Sequence, residues 1–253
     1  MILGAQLYTL RDYCKTTEDF AETLKRVADI GYKTVQISGV CPYDGAWLKG
    51  ELDKNGLAAP VTHTAFKEIA EQPAETLQKH LDFGCHRIGL GSVPGSISDE
   101  TYDGFVQAVT PALRYFAEHG AKFYYHNHWQ EFVRSSVDGN YFIDKLCGEF
   151  SPDLLGIILD TYWVQFAGGD PIAWIRKLKG RVDCVHFKDM VCKNKEHRMM
   201  PVGAGNLNWD GIIQACADAE TKYIFVEQDD CNGENPFDCM KQSYLYLKAK
   251  GLE

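Results

Sequence analysis

What this chain lacks narrows it first. It has nine cysteines, at positions 14, 41, 85, 147, 184, 192, 216, 231 and 239, and no two form a C-x-x-C pair. A disulfide framework or a zinc ribbon is therefore not expected, and reduced thiols are. No apolar run reaches the roughly 18–20 residues that a membrane span requires. The opening MILGAQLYTLRDYC has no basic segment ahead of its apolar stretch and no small-residue cleavage pattern. A secretory leader is not expected, and the chain reads as cytoplasmic. Positive charge is in deficit, with 26 Lys and Arg against 35 Asp and Glu and a net charge of −9. A nucleic-acid backbone would be repelled on average. A glycine-rich phosphate loop is missing too. The segment after the first apolar run reads LYTLRDYCKTTED, which argues against a doubly wound dinucleotide-binding sheet.

What is present is a regular alternation. The 253 residues are 45% hydrophobic, enough for one large core. Short apolar runs predict buried parallel strands at Leu3–Thr9, Thr34–Ser38, Ala59–Thr64, Arg87–Ser92, Lys122–His128, Leu155–Tyr162, Val182–Lys188 and Tyr223–Glu227. Helical segments separate them. Thr17 opens TEDFAETLKRVADIGY, with an apolar stripe at Phe20, Leu24 and Val27 and a stop at Gly31. Ser98 opens a helix that Pro111 should kink or divide. Asp170-Pro171 and Asn235-Pro236 start two more. Eight strand–helix pairs without a linker or a low-complexity tract predict a single (β/α)8 TIM barrel spanning residues 1–253.

In such a barrel the C-terminal strand ends form the active face. The fifth ends in His126-Asn127-His128, followed by Trp129-Gln130-Glu131. The sixth, GIILDTYW, carries Asp160. The seventh, DCVHFKDM, carries His186 and Lys188. The eighth, YIFVEQDD, carries Glu227. An ionised carboxylate after an apolar run is costly without a cation or hydrogen-bond partners. A lone strand-end His is more often structural, and a lone Asp often caps the next helix, as Asp229 and Asp230 are read here. Three such residues at matching ends of adjacent strands instead suggest convergence on a metal, and a mixed oxygen and nitrogen set suits Mn²⁺, Zn²⁺, Co²⁺ or Fe²⁺.

The motifs HNHWQEF, ILDTYW, VHFKD, PVGAGNLNW and FVEQD, in this order and with LGAQLYTLRD and ADIGYKTVQISG ahead of them, resemble the xylose-isomerase-like sugar phosphate isomerase/epimerase superfamily. That superfamily also contains the endonuclease IV-type DNA repair barrels. The resemblance covers essentially the whole chain. It implies one divalent metal, manganese first, held by strand-end Glu, Asp, His and Glu. Asp160, His186 and Glu227 match the last three. Where many members have Glu at the end of strand five, this chain has His126. Either Glu131 reaches back to complete the set or His126 is itself a ligand, and Glu131 is the slightly favoured expectation. Trp163 and Ala204 also depart from the family's usual His and Glu. Histidine-rich strand-five ends further resemble inosose dehydratases and lyases acting on 3-keto sugars.

The implied activity is proton transfer beside a carbonyl through an enediolate, giving isomerisation or epimerisation, with β-elimination by a lyase as the alternative. His126 or His128 is the expected base or acid, and Lys188 the expected oxyanion holder or positioning group. Gln6, Gln36, His63 and Trp163 are candidate contacts to a sugar or polyol, although each also suits simple packing. Such a chain needs no nucleic-acid or membrane partner and is compatible with a homo-oligomer. A barrel that only binds sugar remains the non-catalytic alternative.

Overall fold

The computed structural model describes all 253 residues. Ten strands are present: β1 Ile2–Gln6, β2 Thr34–Ile37, β3 Ala58–Thr62, β4 Arg87–Leu90, β5 Lys122–His126, β6 Leu155–Asp160, β7 Cys184–Phe187, β8 Asp189–Lys193, β9 Glu196–Met200 and β10 Tyr223–Val226. Eight pair in parallel in the order β3-β2-β1-β10-β7-β6-β5-β4, with helices between them, as the sequence predicts of a TIM barrel. No helix is long and apolar enough to cross a membrane.

The helices follow their local signals. Helix α1 (Thr17–Ile30) is capped by Thr16, whose hydroxyl accepts the Asp19 N–H, and it ends at Gly31 with φ 123°, a conformation that favours glycine. Helices α2 (Gly45–Lys54), α3 (Phe66–Glu71) and α4 (Pro73–Asp82) come next. Helix α5 runs unbroken over Tyr102–Glu118 with Pro111 inside it, so the expected division does not occur. Its apolar face, including Phe105, Val109 and Leu113, is buried, and that packing outweighs the lost backbone bond. After α6 (Phe142–Glu149) and α7 (Thr161–Phe166), α8 (Pro171–Lys177) and α10 (Pro236–Ala249) begin with proline behind the Asp170 and Asn235 caps, and α9 (Trp209–Asp218) lies between them.

All eight predicted strands run one to three residues past their observed ends. The first bends into a 3₁₀ turn at Leu7–Tyr13, and the seventh ends at Phe187. Beyond it β8 and β9 form an antiparallel hairpin that the apolar pattern did not reveal, because its outer half is exposed. Asp189 anchors the loop that leads from this hairpin into α9. Its carboxylate accepts N–H groups of Gly203 (2.9 Å), Gly205 (3.0 Å) and the Trp209 indole (2.7 Å). A Cβ at Gly205 would collide with that carboxylate, which accounts for the second glycine of PVGAGNLNW.

Alternation along the strands places the site. Val61, Tyr124, Ile158, Cys184 and Phe225, from five strands, pack as a buried cluster of their own. Two residues further along the same strands stand His63, His126, Asp160, His186 and Glu227. Side chains two apart share a face, so an apolar floor carries a polar ring directly above it.

The barrel seam lies between β3 and β4, where one parallel bridge joins Thr64 to Leu90. The Thr64 N–H donates to the Gly89 carbonyl at 2.7 Å. A Cβ on Gly89 would run into the Thr62 carbonyl oxygen, a backbone atom that cannot swing aside. Gly89→Ala should therefore cost about 2 kcal/mol or more in urea unfolding. Gly50→Ala, in α2 with open space around it, should change stability little or raise it. Equal behaviour of the two variants would show that the seam yields freely.

Candidate metal centre

The ring converges. One ligand atom from each of His126, Asp160, His186 and Glu227 lies within 4.8 Å of the others, and all four residues are buried. His126 Nε2 is 3.5 Å from Asp160 Oδ2. His186 Nδ1 is 3.8 Å from that oxygen and 3.0 Å from Glu227 Oε2. Donors held at about 2.1 Å around one tetrahedral ion stand about 3.4 Å apart, so the spacing suits a single ion.

Surrounding groups turn one donor atom of each residue toward the cluster. The carbonyl of Gly91 can only accept, so His126 Nδ1 carries the hydrogen of that 3.1 Å bond and Nε2 is the nitrogen that faces the cluster. That Nε2 is buried without a hydrogen-bond partner, as is Asp160 Oδ2. The other Asp160 oxygen caps α7 by accepting the Trp163 N–H at 3.0 Å. The Gln36 amide nitrogen donates to Thr62 O, so its carbonyl oxygen faces His186 Nε2, 2.5 Å away. His186 thus turns Nδ1 toward the cluster. Gln6 is fixed likewise: its oxygen accepts the Tyr8 N–H at 2.6 Å and its nitrogen donates to Glu227 Oε1 at 2.8 Å. Outer contacts of this kind orient metal ligands. Two orphaned, buried donor atoms facing each other fit a bound cation.

The buried charges compensate one another. Burial opposes ionisation of Asp160 and Glu227, yet Lys188 and the neighbouring imidazoles hold both carboxyls below the usual range. The Lys188 ammonium is 2.7 Å from Asp229 Oδ2, 3.3 Å from Glu227 Oε2 and 3.5 Å from Asp160 Oδ2. These carboxylates overcome its burial and keep it charged. Burial likewise opposes a charge on His186, but Glu227 and Asp160 outweigh it and push its pKa up to about 9. His128 has no such partner, and burial followed by His126 pushes it down to about 3.

The structure corrects several expectations. Glu131 does not join the cluster: its oxygens accept the Tyr125 hydroxyl at 2.6 Å and the His128 backbone N–H at 2.7 Å, so it braces the strand-five loop. His126 Nε2 stands in the cluster instead, with Nδ1 bound to the Gly91 carbonyl. Gln36, fully buried, holds His186 and is not exposed to a substrate. Gln6, His63, His128 and Lys188 do line a cavity of about 490 Å³ over the cluster. Trp163 stands behind it, its ring 5.3 Å from His128 and 5.2 Å from the Lys188 ammonium. The residue that strand-end reasoning passed over is Asp229, read as a loop residue. It lines the cavity and pairs with Lys188, and its only sequence signal was its place two residues beyond Glu227.

Fold and cluster together define a (β/α)8 barrel with a four-residue centre able to hold a divalent ion at its C-terminal mouth. The chain belongs to the xylose isomerase-like TIM barrel family, whose sequence model matches residues 24–249. It is 24% identical to an inosose dehydratase of Clostridium beijerinckii over 275 residues, covering 91% of this chain and 89% of that protein. Among solved structures, a sugar phosphate isomerase/epimerase from Parabacteroides distasonis superposes with a TM-score of 0.82 at 21% identity, covering 98% of this chain and 93% of that one. A probable 3-DHS dehydratase from Bacillus anthracis superposes with a TM-score of 0.74 at 16% identity, covering 98% and 99%. These structural likenesses show the fold.

Freeing the His186 ring tests the outer contacts. Gln36→Leu should weaken metal affinity about 10- to 100-fold in a competition titration against a chelating dye; unchanged affinity would remove Gln36 from the site. A second expectation concerns pH. The folded-state pKa of His186 lies above its ordinary 6.5, so its proton stabilises the metal-free fold below pH 6.5. That contribution is lost as pH rises through about 9. A bound ion must displace this proton, so uptake should release protons and tighten from pH 6.5 to 9. Proton release measured with an indicator dye checks this, and pH-independent uptake would contradict it.

Proposed function

We propose that this chain is a metal-dependent enzyme that removes a proton beside the carbonyl of a keto sugar or keto polyol, with elimination as the favoured outcome. The observation that carries the reading is that an imidazole, His128, and an ammonium, Lys188, line the walls of one cavity above the metal cluster. A divalent ion in the cluster would supply Lewis-acid polarisation of a carbonyl oxygen.

The chain's own groups divide the remaining work. His128 accepts the proton from the carbon next to the carbonyl, and the C–H electron pair moves into the new C=C bond. In elimination that pair expels a β-oxygen, which takes its proton from Lys188, and Asp229 holds the ammonium in position. In isomerisation or epimerisation the proton returns to carbon instead. One base paired with one acid suits elimination, and the inosose dehydratases matched over about nine-tenths of the chain favour the same branch. His126, Asp160, His186, Lys188 and Glu227 are all buried at the floor of the cavity, where charges act more strongly than in water. A sugar-like substrate also agrees with a cavity rich in polar groups and with the acidic net charge.

The test is α-proton exchange in deuterated water, followed by NMR, with 2-keto-myo-inositol and a 3-keto-glucoside as probes and ultraviolet absorbance reporting the unsaturated product. His128→Gln should lower exchange by about 10²- to 10⁴-fold with metal content unchanged. A variant that exchanges like the parent protein would remove His128 as the base. A parent protein that binds metal and exchanges neither probe would leave a sugar-binding barrel as the better reading.

A further inference from the structure

We infer that His126 sets the metal preference of this centre, turning it toward ions that favour imidazole (Zn²⁺, Co²⁺ and Fe²⁺) and away from Mg²⁺, Ca²⁺ and Mn²⁺. The inference rests on the cluster being a metal site and departs from the manganese that the family resemblance suggests first. Its basis is the donor set.

The site offers two imidazole nitrogens and two carboxylates. Each carboxylate already has one oxygen engaged, on the Trp163 N–H for Asp160 and on the Gln6 amide for Glu227. One oxygen apiece remains, so the dense oxygen coordination that hard ions require is not on offer. The pull of the two negative charges is also weakened. The Lys188 ammonium sits 3.3 Å from Glu227 Oε2 and 3.5 Å from Asp160 Oδ2, the same oxygens that face the cluster. An ion held by charge alone competes with that resident cation. Nitrogen donation adds binding that does not depend on negative charge, and it is what borderline ions prefer. Both imidazoles are preset for it, by Gly91 O behind His126 and by Gln36 Oε1 behind His186. A carboxylate at position 126 would restore an oxygen-rich, more negative set, so the choice of ion turns on this residue.

The experiment uses the full chain, stripped with chelator and reloaded with Co²⁺. Proton NMR of the cobalt form should show two exchangeable, hyperfine-shifted imidazole N–H signals, from His126 Nδ1 and His186 Nε2. His126→Gln should lose one of them. In a direct competition, His126→Glu should lower the preference for Co²⁺ over Mn²⁺ by about tenfold or more. A single such signal in the parent protein, no cobalt uptake, or a preference unchanged in a folded His126→Glu variant would overturn the inference. Should that variant fail to fold, the signal count in the parent protein decides alone. Neither readout involves a substrate. A protein that shows both N–H signals yet exchanges no keto sugar would lose the proposed reaction and keep this assignment.

Discussion

Two carboxylates buried in the mouth of the barrel, Asp160 and Glu227, are the constraint around which the rest is arranged. Each sits at a strand end with almost no exposure, where an unpaired negative charge is prohibitively costly. The chain answers with cations and donors from every side. Lys188 reaches both from β7's end, His186 stands between them, Gln6 fixes one oxygen of Glu227, and the first turn of α7 fixes one of Asp160. The same demand that keeps the metal-free site folded leaves it charged to receive a cation. Stability and metal binding are thus two answers to one electrostatic problem.

The fold was largely legible because both of its periods are strong. Buried parallel strands read as short apolar runs, and the helices between them carry their own caps, such as Thr16, Asp170 and Asn235. Strand ends were less legible. The runs continue for one to three residues past the last ladder bond, since the residues beyond are buried by the ring above the floor. The β8–β9 hairpin escaped because half of it faces solvent and the anchor that shapes it, Asp189, looks in sequence like any polar residue after a strand. Pro111 does not divide its helix for the opposite reason, its local signal being overruled by a long apolar face.

The site was legible in part, and the division is physical. Strand alternation brings His126, Asp160, His186 and Glu227 to one level, and a sequence periodicity can see that. It cannot see hydrogen bonds between strands distant in sequence. Gln36 looked like a substrate contact because polar side chains at a barrel mouth look alike whether they face a ligand or the residue that holds one. Glu131 looked like a ligand for the same reason. Its chemistry fits, but the turn at Gln130–Phe132 delivers it to the Tyr125 hydroxyl and the His128 N–H. Asp229 was read as a loop residue because only the folded chain reveals Lys188 opposite it.

His63 bears on how many ions the mouth can hold. Its ring packs 4.9 Å from His126 and 5.4 Å from His186, close enough to suggest a larger cluster of ligands. The Gln6 amide argues otherwise. With its oxygen committed to the Tyr8 N–H, the amide nitrogen has hydrogens to give to Glu227 and to His63 Nδ1, 3.4 Å away, and the Ser38 hydroxyl is 3.2 Å from the same Nδ1. Nδ1 therefore accepts, and Nε2 carries the ring's proton. A protonated nitrogen is a donor and not a ligand. The ring thus supports one four-donor centre with a hydrogen-bond donor beside it, an arrangement suited to one small oxygenated substrate. Extended phosphate chemistry on nucleic acid would ask for several ions and a basic face, and a net charge of −9 offers no such face on average.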